Sequence, residues 1–314
     1  EIMPSLVGSE MCIRDSHTML SFGVILGFAG AAFAVALPLA SRWYPPEHQG
    51  TALGIAGAGN SGTAFAALFA PTLAIMFGWQ NVFGLCLIPL SIAFVVYLVF
   101  TRDAPSAPPP KSMMEYLHVL KDKDAWWFMF FYSVTFGGFS GLASSLTIYF
   151  NGQYGLSPVT AGYFTAACVF AGSAVRPLGG RLADRIGGIK TLSMMYMLAA
   201  SFMLIASFGL SSAMAAVAIF VLAMLSLGVG NGAVFQLVPQ RFRKEIGVMT
   251  GLVGMAGGIG GFYLASSLGY SKQLTGSYQG GLIVFAALAI VALLGLSAVK
   301  NRWRTTWGLS LIHI

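Results

Sequence analysis

Charged side chains are scarce in this sequence, and their scarcity decides its class. Only 9% of the 314 residues are Asp, Glu, Lys or Arg, whereas 57% are hydrophobic, and the mean hydropathy is +0.78. A soluble globular protein carries roughly 25% charged residues, so this chain has too few to cover the surface of a soluble fold. Its apolar residues come in blocks of about 20 or more, the length of a helix that crosses a bilayer. The composition therefore predicts an all-α polytopic membrane protein.

The two ends of the chain lack the features of a targeting segment. The first residues, EIMPSLVGSEMCIRDS, have neither the basic start nor the apolar core of a signal peptide. They resemble translated sequencing adaptor, and so does LSLIHI at the other end. We therefore predict that residues 1–17 and 306–314 are not native, and a genuine polar tail is the alternative.

Groups that a membrane enzyme would need are also missing. All ten acidic residues are predicted to lie in loops or in the excluded N-terminal stretch, so no carboxylate pair falls inside an apolar block. His48 and His118 are in predicted loops, and Cys86 and Cys168 lie in apolar blocks without a pattern of metal ligands or disulfide partners. A transporter is the leading interpretation and a polytopic membrane enzyme the alternative, and no cofactor is predicted.

The apolar blocks predict nine membrane-spanning helices. They run approximately over 18–41, 50–77, 80–101, 125–150, 158–182, 189–209, 212–240, 246–269 and 279–299. The polar stretch 102–124, which contains a proline run and several charges, predicts a cytoplasmic linker. It would join the last three helices of one bundle, 18–101, to a six-helix bundle, 125–305. A parent of twelve helices would then have three more before this chain begins.

The basic residues predict the orientation in the membrane. Along the chain, loops rich in Lys and Arg alternate with loops that have almost none. The loops poor in basic residues contain only Lys272. By the positive-inside rule the rich set is cytoplasmic. That set consists of Arg42, Arg102, Lys111, Lys121, Lys123, Arg181, Arg185, Lys190, Arg241, Arg243, Lys244, Lys300, Arg302 and Arg304.

A pattern of Arg, aromatic, Glu and a glycine-rich segment occurs twice, at offsets of 197 to 199 residues. The first copy is Arg42, Trp43, Glu47 and GIAGAG at 54–59, and the second is Arg241, Phe242, Glu245 and GLVGMA at 251–256. Parallel repeats of whole bundles are typical of transporters whose two halves rock about a central site.

Arg176 is the one charged residue predicted inside a span. Charges in membrane helices are costly and usually functional. A buried arginine favours an anion, and its planar fork matches a planar oxyanion. Arg176 also lies eight residues before Asp184, about 12 Å along a helix, so the alternative is that it snorkels to the cytoplasmic surface.

Polar and aromatic residues in other spans are further candidates. Tyr132 and Phe136 are four residues apart and share a helix face, where they could contact an anion or simply pack in the core. Asn60 is a mid-membrane amide that needs a partner, and substrate binding and helix bridging are both open. Asn231, in GVGNG, is another interior amide.

Several motifs resemble a known family. The segment GGRLADRIGG, 179–188, resembles the gating loop of the major facilitator superfamily. The glycine-rich GIAGAGNSG and GLVGMAGGIGG resemble the two signatures of its nitrate/nitrite porter family, and the likeness extends over 18–305. These signatures and other familiar segments lie at 28–38, 54–62, 132–141, 175–188, 230–242 and 251–261.

The resemblance implies a major facilitator fold with about nine of twelve helices present. It implies nitrate and/or nitrite transport by alternating access in the bacterial inner membrane, by a monomer that binds no nucleic acid. Another small anion, such as a carboxylate, is the alternative substrate. Protons are an open second partner, although the absence of buried Asp, Glu or His from the spans favours nitrate/nitrite exchange.

The resemblance also implies roles for single residues. One clamp arginine is Arg176, and its partner belongs to a second helix that this chain does not contain. Tyr132 and Asn60 hydrogen-bond the anion, and Phe33 and Phe136 sandwich it. The glycines that close around it are Gly57, Gly59, Gly254, Gly257 and Gly258, and the gating loop uses Gly180, Asp184, Arg185 and Gly187.

Overall fold

The computed structural model describes residues 18, 20–25, 27, 36–37, 39, 42–45, 48–102, 114 and 118–306, and this part of the chain contains helices and no strand. The main helices are α1 (Gln49–Gly57), α2 (Gly62–Phe77), α3 (Trp79–Phe100), α4 (Lys123–Tyr154), α5 (Pro158–Ala174), α6 (Arg176–Ile186), α7 (Gly188–Ser207), α8 (Ala213–Arg241), α9 (Ile246–Thr275) and α10 (Gln279–Thr306). A multi-pass all-α membrane protein is therefore confirmed.

Seven stretches of the described residues are long and apolar enough to cross a membrane, and they match seven of the nine predicted spans. They are Gly50–Phe77, Trp79–Phe100, Pro158–Ile186, Gly188–Ser207, Ala213–Arg241, Ile246–Thr275 and Gln279–Trp303. Most of the predicted span 18–41 lies outside the described residues. The predicted span 125–150 forms α4, which has 32 residues but is too rich in Gly, Ser and Thr to join the seven.

The helix α3 shows why the protein needs a bilayer. None of its 22 residues is buried, and its large apolar side chains are mostly exposed, as at Phe100 with 76%. An apolar surface of this extent is not tolerated in water, whereas lipid tails cover it without cost.

The less apolar α4 lies inside the bundle, where glycines let it approach α9 closely. A Cβ added to Gly137 would lie 2.6 Å from the carbonyl carbon of Gly260, and one added to Gly141 would lie 2.8 Å from the Cβ of Leu264. Small residues at a helix crossing permit such backbone contact in membranes. This packing fixes the face of α4 that carries Tyr132.

A buried carboxylate ties together the ends of α4, α8 and α10 on the side predicted as cytoplasmic. Asp124 is 5% exposed and accepts hydrogen bonds from Arg241 Nε at 3.0 Å, from Trp303 Nε1 at 2.8 Å and from Arg302 Nη2. Asp122 pairs with Arg241 Nη2 at 2.5 Å and caps α4 by accepting from the Asp124 N–H. The expectation that every acidic residue lies in a loop is wrong at Asp124, because this cap starts the helix two residues before the predicted span.

Two spans that the sequence predicts as continuous are interrupted. A 3₁₀ turn, Ala58–Ser61, separates α1 from α2. The break between α5 and α6 falls at Val175, with Pro177 in the first turn of α6. Proline lacks an N–H and clashes with the preceding turn, which weakens the helix there. Pro71, Pro89 and Pro239 are nevertheless accommodated inside α2, α3 and α8. Both interruptions coincide with predicted site residues, Asn60 and Arg176.

The segment predicted as a gating loop is mostly helical. The helix α6 runs to Ile186, so Gly180, Asp184 and Arg185 lie on a helix. Only Gly187 separates α6 from α7, and its φ of +95° is in the left-handed region that favours glycine. The single glycine turns the chain so sharply that no longer loop is needed.

Candidate anion-binding site

Arg176 lies buried at the break between α5 and α6. It is 2% exposed, and its Nη1 donates a hydrogen bond to the backbone carbonyl of Gly57 at 3.0 Å. The side chain therefore points into the bundle toward α1, and the snorkelling alternative is wrong. In the described part of the chain, its Nε and Nη2 have no hydrogen-bond partner and no carboxylate lies within ion-pair distance.

The unpartnered atoms form one edge of the guanidinium. The Nε–H and one Nη2–H are parallel and lie on the side away from Nη1, which is the geometry that grips two oxygens of a planar anion. A buried cation without a counter-charge is expensive in a medium of low dielectric constant. An anion on this edge would supply both the hydrogen-bond acceptors and the compensating charge.

Aromatic rings from α4 form a wall beside this edge. The Arg176 guanidinium carbon lies 4.6 Å from the ring centre of Phe139 and 5.4 Å from that of Phe136. Phe136 stacks on Tyr132 with ring centres 5.1 Å apart and planes 2° apart. Phe139 was missed as a site residue, although its spacing of three residues from Phe136 was a readable signal.

The second glycine signature supports this wall at one position. A Cβ added to Gly257 would lie 2.7 Å from Cδ1 of Phe136 and 2.8 Å from Cδ1 of Tyr132. Among the described residues nothing lies within 4 Å of a Cβ at Gly258, and Gly254 is half-buried. Gly257 therefore lies directly against the aromatic pair, and Gly258 does not.

In the first signature, the glycine with the tightest packing is Gly54, whose spacing predicts close helix packing but which is not among the predicted substrate-binding residues. A Cβ at Gly54 would lie 2.6 Å from the carbonyl oxygen of Arg176. A Cβ at Gly57 would lie at an ordinary 3.5 Å from the Arg176 side chain, and one at Gly59 would meet nothing within 4 Å among the described residues. Gly57 instead contributes its carbonyl oxygen, which the sequence pattern could not reveal.

Asn60 converges on the same carbonyl. Its Nδ2 donates to Gly57 O at 3.1 Å, so Asn60 and Arg176 share one acceptor. The 3₁₀ turn that holds Asn60 therefore lies against the charged site. Arg176, Asn60, Tyr132 and Phe136 are brought together as predicted, and Phe33 lies outside the described residues.

The predicted gating residues join α1 to α6 on the side predicted as cytoplasmic. Asp184 Oδ2 accepts from the backbone N–H of Thr51 at 3.1 Å and from its hydroxyl at 3.0 Å. Asp184 thereby caps the N-terminus of a helix from elsewhere in the chain. Gly50 and Gly180 lie so close that a Cβ on either would collide with the other's backbone. Arg185 lines an open cavity beside this contact.

Comparisons with known proteins show the family of the chain. Residues 3–265 match the model of the Major Facilitator Superfamily. The "Nitrite extrusion protein" of Bacillus subtilis is 32% identical over 282 residues, which cover 90% of this chain and 70% of the relative. The "Probable nitrate transporter NarT" of Staphylococcus carnosus is 35% identical over 298 residues, covering 92% and 75%. The chain belongs to the nitrate/nitrite porter family of the Major Facilitator Superfamily.

Solved structures support the fold of the porter. A crystal structure of the E. coli fucose:proton symporter FucP matches with a TM-score of 0.63 and 16% identity over 85% of this chain and 72% of that one. FucP in the outward conformation gives a TM-score of 0.62 with the same coverage. At this identity the likeness concerns the fold alone. Family and fold make the chain a multi-pass membrane transporter rather than an enzyme.

Proposed function

We propose that this porter carries nitrate and/or nitrite across the bacterial inner membrane by alternating access, as a secondary active transporter. The observation behind the proposal is the Nε and Nη2 edge of Arg176, which is buried, charged and unpartnered among the described residues. Planar anions with two oxygens in one plane fit this edge. The names of the relatives support nitrate and nitrite in particular.

In the proposed site each neighbour of Arg176 has a separate task. The Tyr132 hydroxyl and the Asn60 amide hydrogen-bond the anion, and Phe136 covers one flat side of it. The shared Gly57 carbonyl fixes the orientation of the guanidinium by holding Nη1. Phe33 is proposed for the opposite flat side by family resemblance alone.

The contact between Asp184 and Thr51 is proposed as part of the gate. Alternating access requires that contacts on one side break while the other side closes. A carboxylate at a helix N-terminus is suited to this because it stabilises the closed state by a modest amount, about 0.3–1 kcal/mol when exposed and up to about 2 when partly buried. The gate can then open at the expense of a few hydrogen bonds.

Arg176→Lys in the full-length protein tests the proposed site. Lysine keeps the charge but offers a point ammonium instead of a fork, so nitrate affinity should fall. Loss of a charge-assisted hydrogen bond costs about 1.5–3 kcal/mol, roughly 10- to 150-fold in the dissociation constant. The measurement is thermal stabilisation of the purified protein by sodium nitrate and sodium nitrite, with sodium formate as the carboxylate and sodium chloride as the salt control.

Arg185→Lys serves as the matched control, because Arg185 is exposed and lies away from the aromatic wall. It should bind nitrate as the unaltered protein does. The proposal fails if formate stabilises the unaltered protein and nitrate and nitrite do not, or if Arg176→Lys binds nitrate normally.

A further inference from the structure

Asn231 is a buried amide that the proposed function does not yet use. It lies on α8, is 1% exposed, and within the described part of the chain neither its Nδ2 nor its Oδ1 has a hydrogen-bond partner. An unsatisfied amide in a membrane-embedded core is destabilising, and an apolar residue of the same size would avoid that cost. Such a residue points to a ligand that completes its hydrogen bonds.

The neighbours of Asn231 on α8 fix the direction of its side chain. A Cβ at Gly232 would lie 2.8 Å from the carbonyl oxygen of Arg176, so position 232 faces α6. A Cβ at Gly230 would lie 3.0 Å from Cγ2 of Thr135 on α4 and 3.6 Å from Cβ of Met195 on α7, so position 230 faces α4 and α7. Residues are about 100° apart around a helix, which directs Asn231 into the wedge between α4 and α6.

The same wedge contains the aromatic wall and the guanidinium. Phe235 is one turn from Asn231 on the same face of α8, and its ring centre lies 4.8 Å from that of Tyr132. Because Gly232 touches the backbone of Arg176, Asn231 is also at the height of the arginine in the bundle. Asn231 thus faces the proposed anion from a third helix, α8.

We propose that Asn231 is a further substrate-binding residue of the porter, a conclusion that rests on the proposed function of the Arg176 site. Its Nδ2–H donates to an anion oxygen that the guanidinium fork does not hold. Its Oδ1 accepts an N–H of the Arg176 guanidinium. An amide can do both at once because it is donor and acceptor. Through this contact α8 joins α4 and α6 in enclosing the anion.

Asn231→Leu in the full-length protein separates this role from a structural one. Leucine has a similar size but no polar atoms, so the thermal midpoint without nitrate should stay the same or rise. The dissociation constant for sodium nitrate should increase about 10-fold, the lower end of the range for a hydrogen bond to a charged group. An amide that only stabilises the bundle predicts the reverse, a lower midpoint and unchanged nitrate affinity, and that result overturns the proposal.

Asn231→Asp provides a second test, and it decides the question if the leucine variant does not fold. Aspartate keeps the shape, removes both N–H donors and places a negative charge beside Arg176, so nitrate stabilisation should be lost. Ser226→Ala is the matched control. Ser226 is a buried polar residue of α8 that faces away from the wedge and donates to Leu222 O at 2.9 Å. Its removal should leave nitrate affinity unchanged.

The outcomes also separate the two proposals. If nitrate and nitrite fail to stabilise the unaltered protein, the proposed function is wrong, and so is the proposed role of Asn231. If they stabilise the unaltered protein and both Asn231 variants equally well, while Arg176→Lys is impaired, the role of Asn231 alone is wrong.

Discussion

At the scale of single residues, the backbone carbonyl of Gly57 decides how Arg176 presents its charge. It accepts from Arg176 Nη1 at 3.0 Å and from Asn60 Nδ2 at 3.1 Å, as the two lone pairs of a carbonyl allow. The main chain of α1 therefore supplies the hydrogen bond that orients the guanidinium, while Phe139 and Phe136 pack against it. A shift of that main chain would move the proposed anion-binding edge, which links the proposed site directly to the movement of the helices.

Gly257→Ala should lower nitrate affinity, because its Cβ would collide with the ring carbons of Phe136 and Tyr132, at 2.7 and 2.8 Å. Overpacking of a close contact costs about 1–3 kcal/mol, and here the rings that must move are those of the proposed site. Nitrate-dependent thermal stabilisation measures the effect. Gly269→Ala, on the same helix with nothing within 4 Å among the described residues, should behave as the unaltered protein. Equal affinities for both variants would contradict the packing argument.

Single residues also show how far the sequence could predict the site. Arg176 was identifiable because it is the one charged residue inside an apolar block, and Tyr132 and Phe136 because their spacing places them on one face. The Gly57 contact was not predictable, since any residue type carries a carbonyl. The contrast between Gly257 and Gly258 was equally hidden, because a glycine-rich motif does not tell which members face a neighbour.

At the scale of elements, the helix breaks lie where the charged site is built. The 3₁₀ turn Ala58–Ser61 and the break at Val175 meet through the hydrogen bond between Arg176 and Gly57. Interrupted membrane helices commonly mark binding sites, because loosened backbone offers groups that a regular helix keeps for itself. Pro177 indicates a weak point at the second break, although Pro71, Pro89 and Pro239 lie inside continuous helices. The first break lies among weak helix formers, Gly57, Gly59, Asn60 and Gly62, so local preference permits it without requiring it.

Asp124→Asn should destabilise the bundle by about 1.5–3 kcal/mol, because it removes the buried charge that holds Arg241 and Arg302 together. Asparagine keeps an acceptor for the Trp303 N–H, but it loses the ion pair with Arg302 and leaves Arg241 paired with Asp122 alone. Asp122→Asn should cost less than about 1 kcal/mol, since the Asp122 side chain is 30% exposed and its amide can still cap α4. Thermal unfolding in detergent compares the two. An equal loss would show that burial of Asp124 does not matter.

At the scale of the whole molecule, the sequence was most informative about class and least about the contacts between distant helices. Scarcity of charge and the length of the apolar blocks predicted seven spans that the structure confirms. The tight packing of α1 on α6, over residues far apart in sequence, depends on glycines whose partners no pattern names. Other glycines, among them Gly137, Gly138 and Gly141, reduce the apolar character of α4 although this helix is buried. Small residues therefore lower the hydropathy of α4 below that of the seven spans and also allow its close packing.

The contact between Asp184 and Thr51 should control transport without controlling binding. Asp184 holds two donors of Thr51 at the end of α1, whereas the proposed anion edge lies at Arg176, at the opposite end of α6. Asp184→Asn removes the negative charge that interacts favourably with the positive N-terminal end of α1. That interaction contributes up to about 2 kcal/mol, so its loss destabilises the closed state of the proposed gate. We expect nitrate uptake at matched membrane expression to fall several-fold, while nitrate affinity changes less than about twofold.

Substitutions at Thr51 test the same prediction from the other side of the contact, because they should cause transport defects of different size. Thr51→Val removes the hydroxyl donor and leaves the backbone N–H, so its transport defect should be milder than that of Asp184→Asn. Thr51→Ser keeps both donors and should transport normally. A gate contact thus predicts an order of transport rates, Ser above Val above Asp184→Asn, at nearly constant nitrate affinity. If uptake and affinity instead fall together across the three variants, Asp184 acts by shaping the binding site, and the separation of gate from site in this porter is wrong.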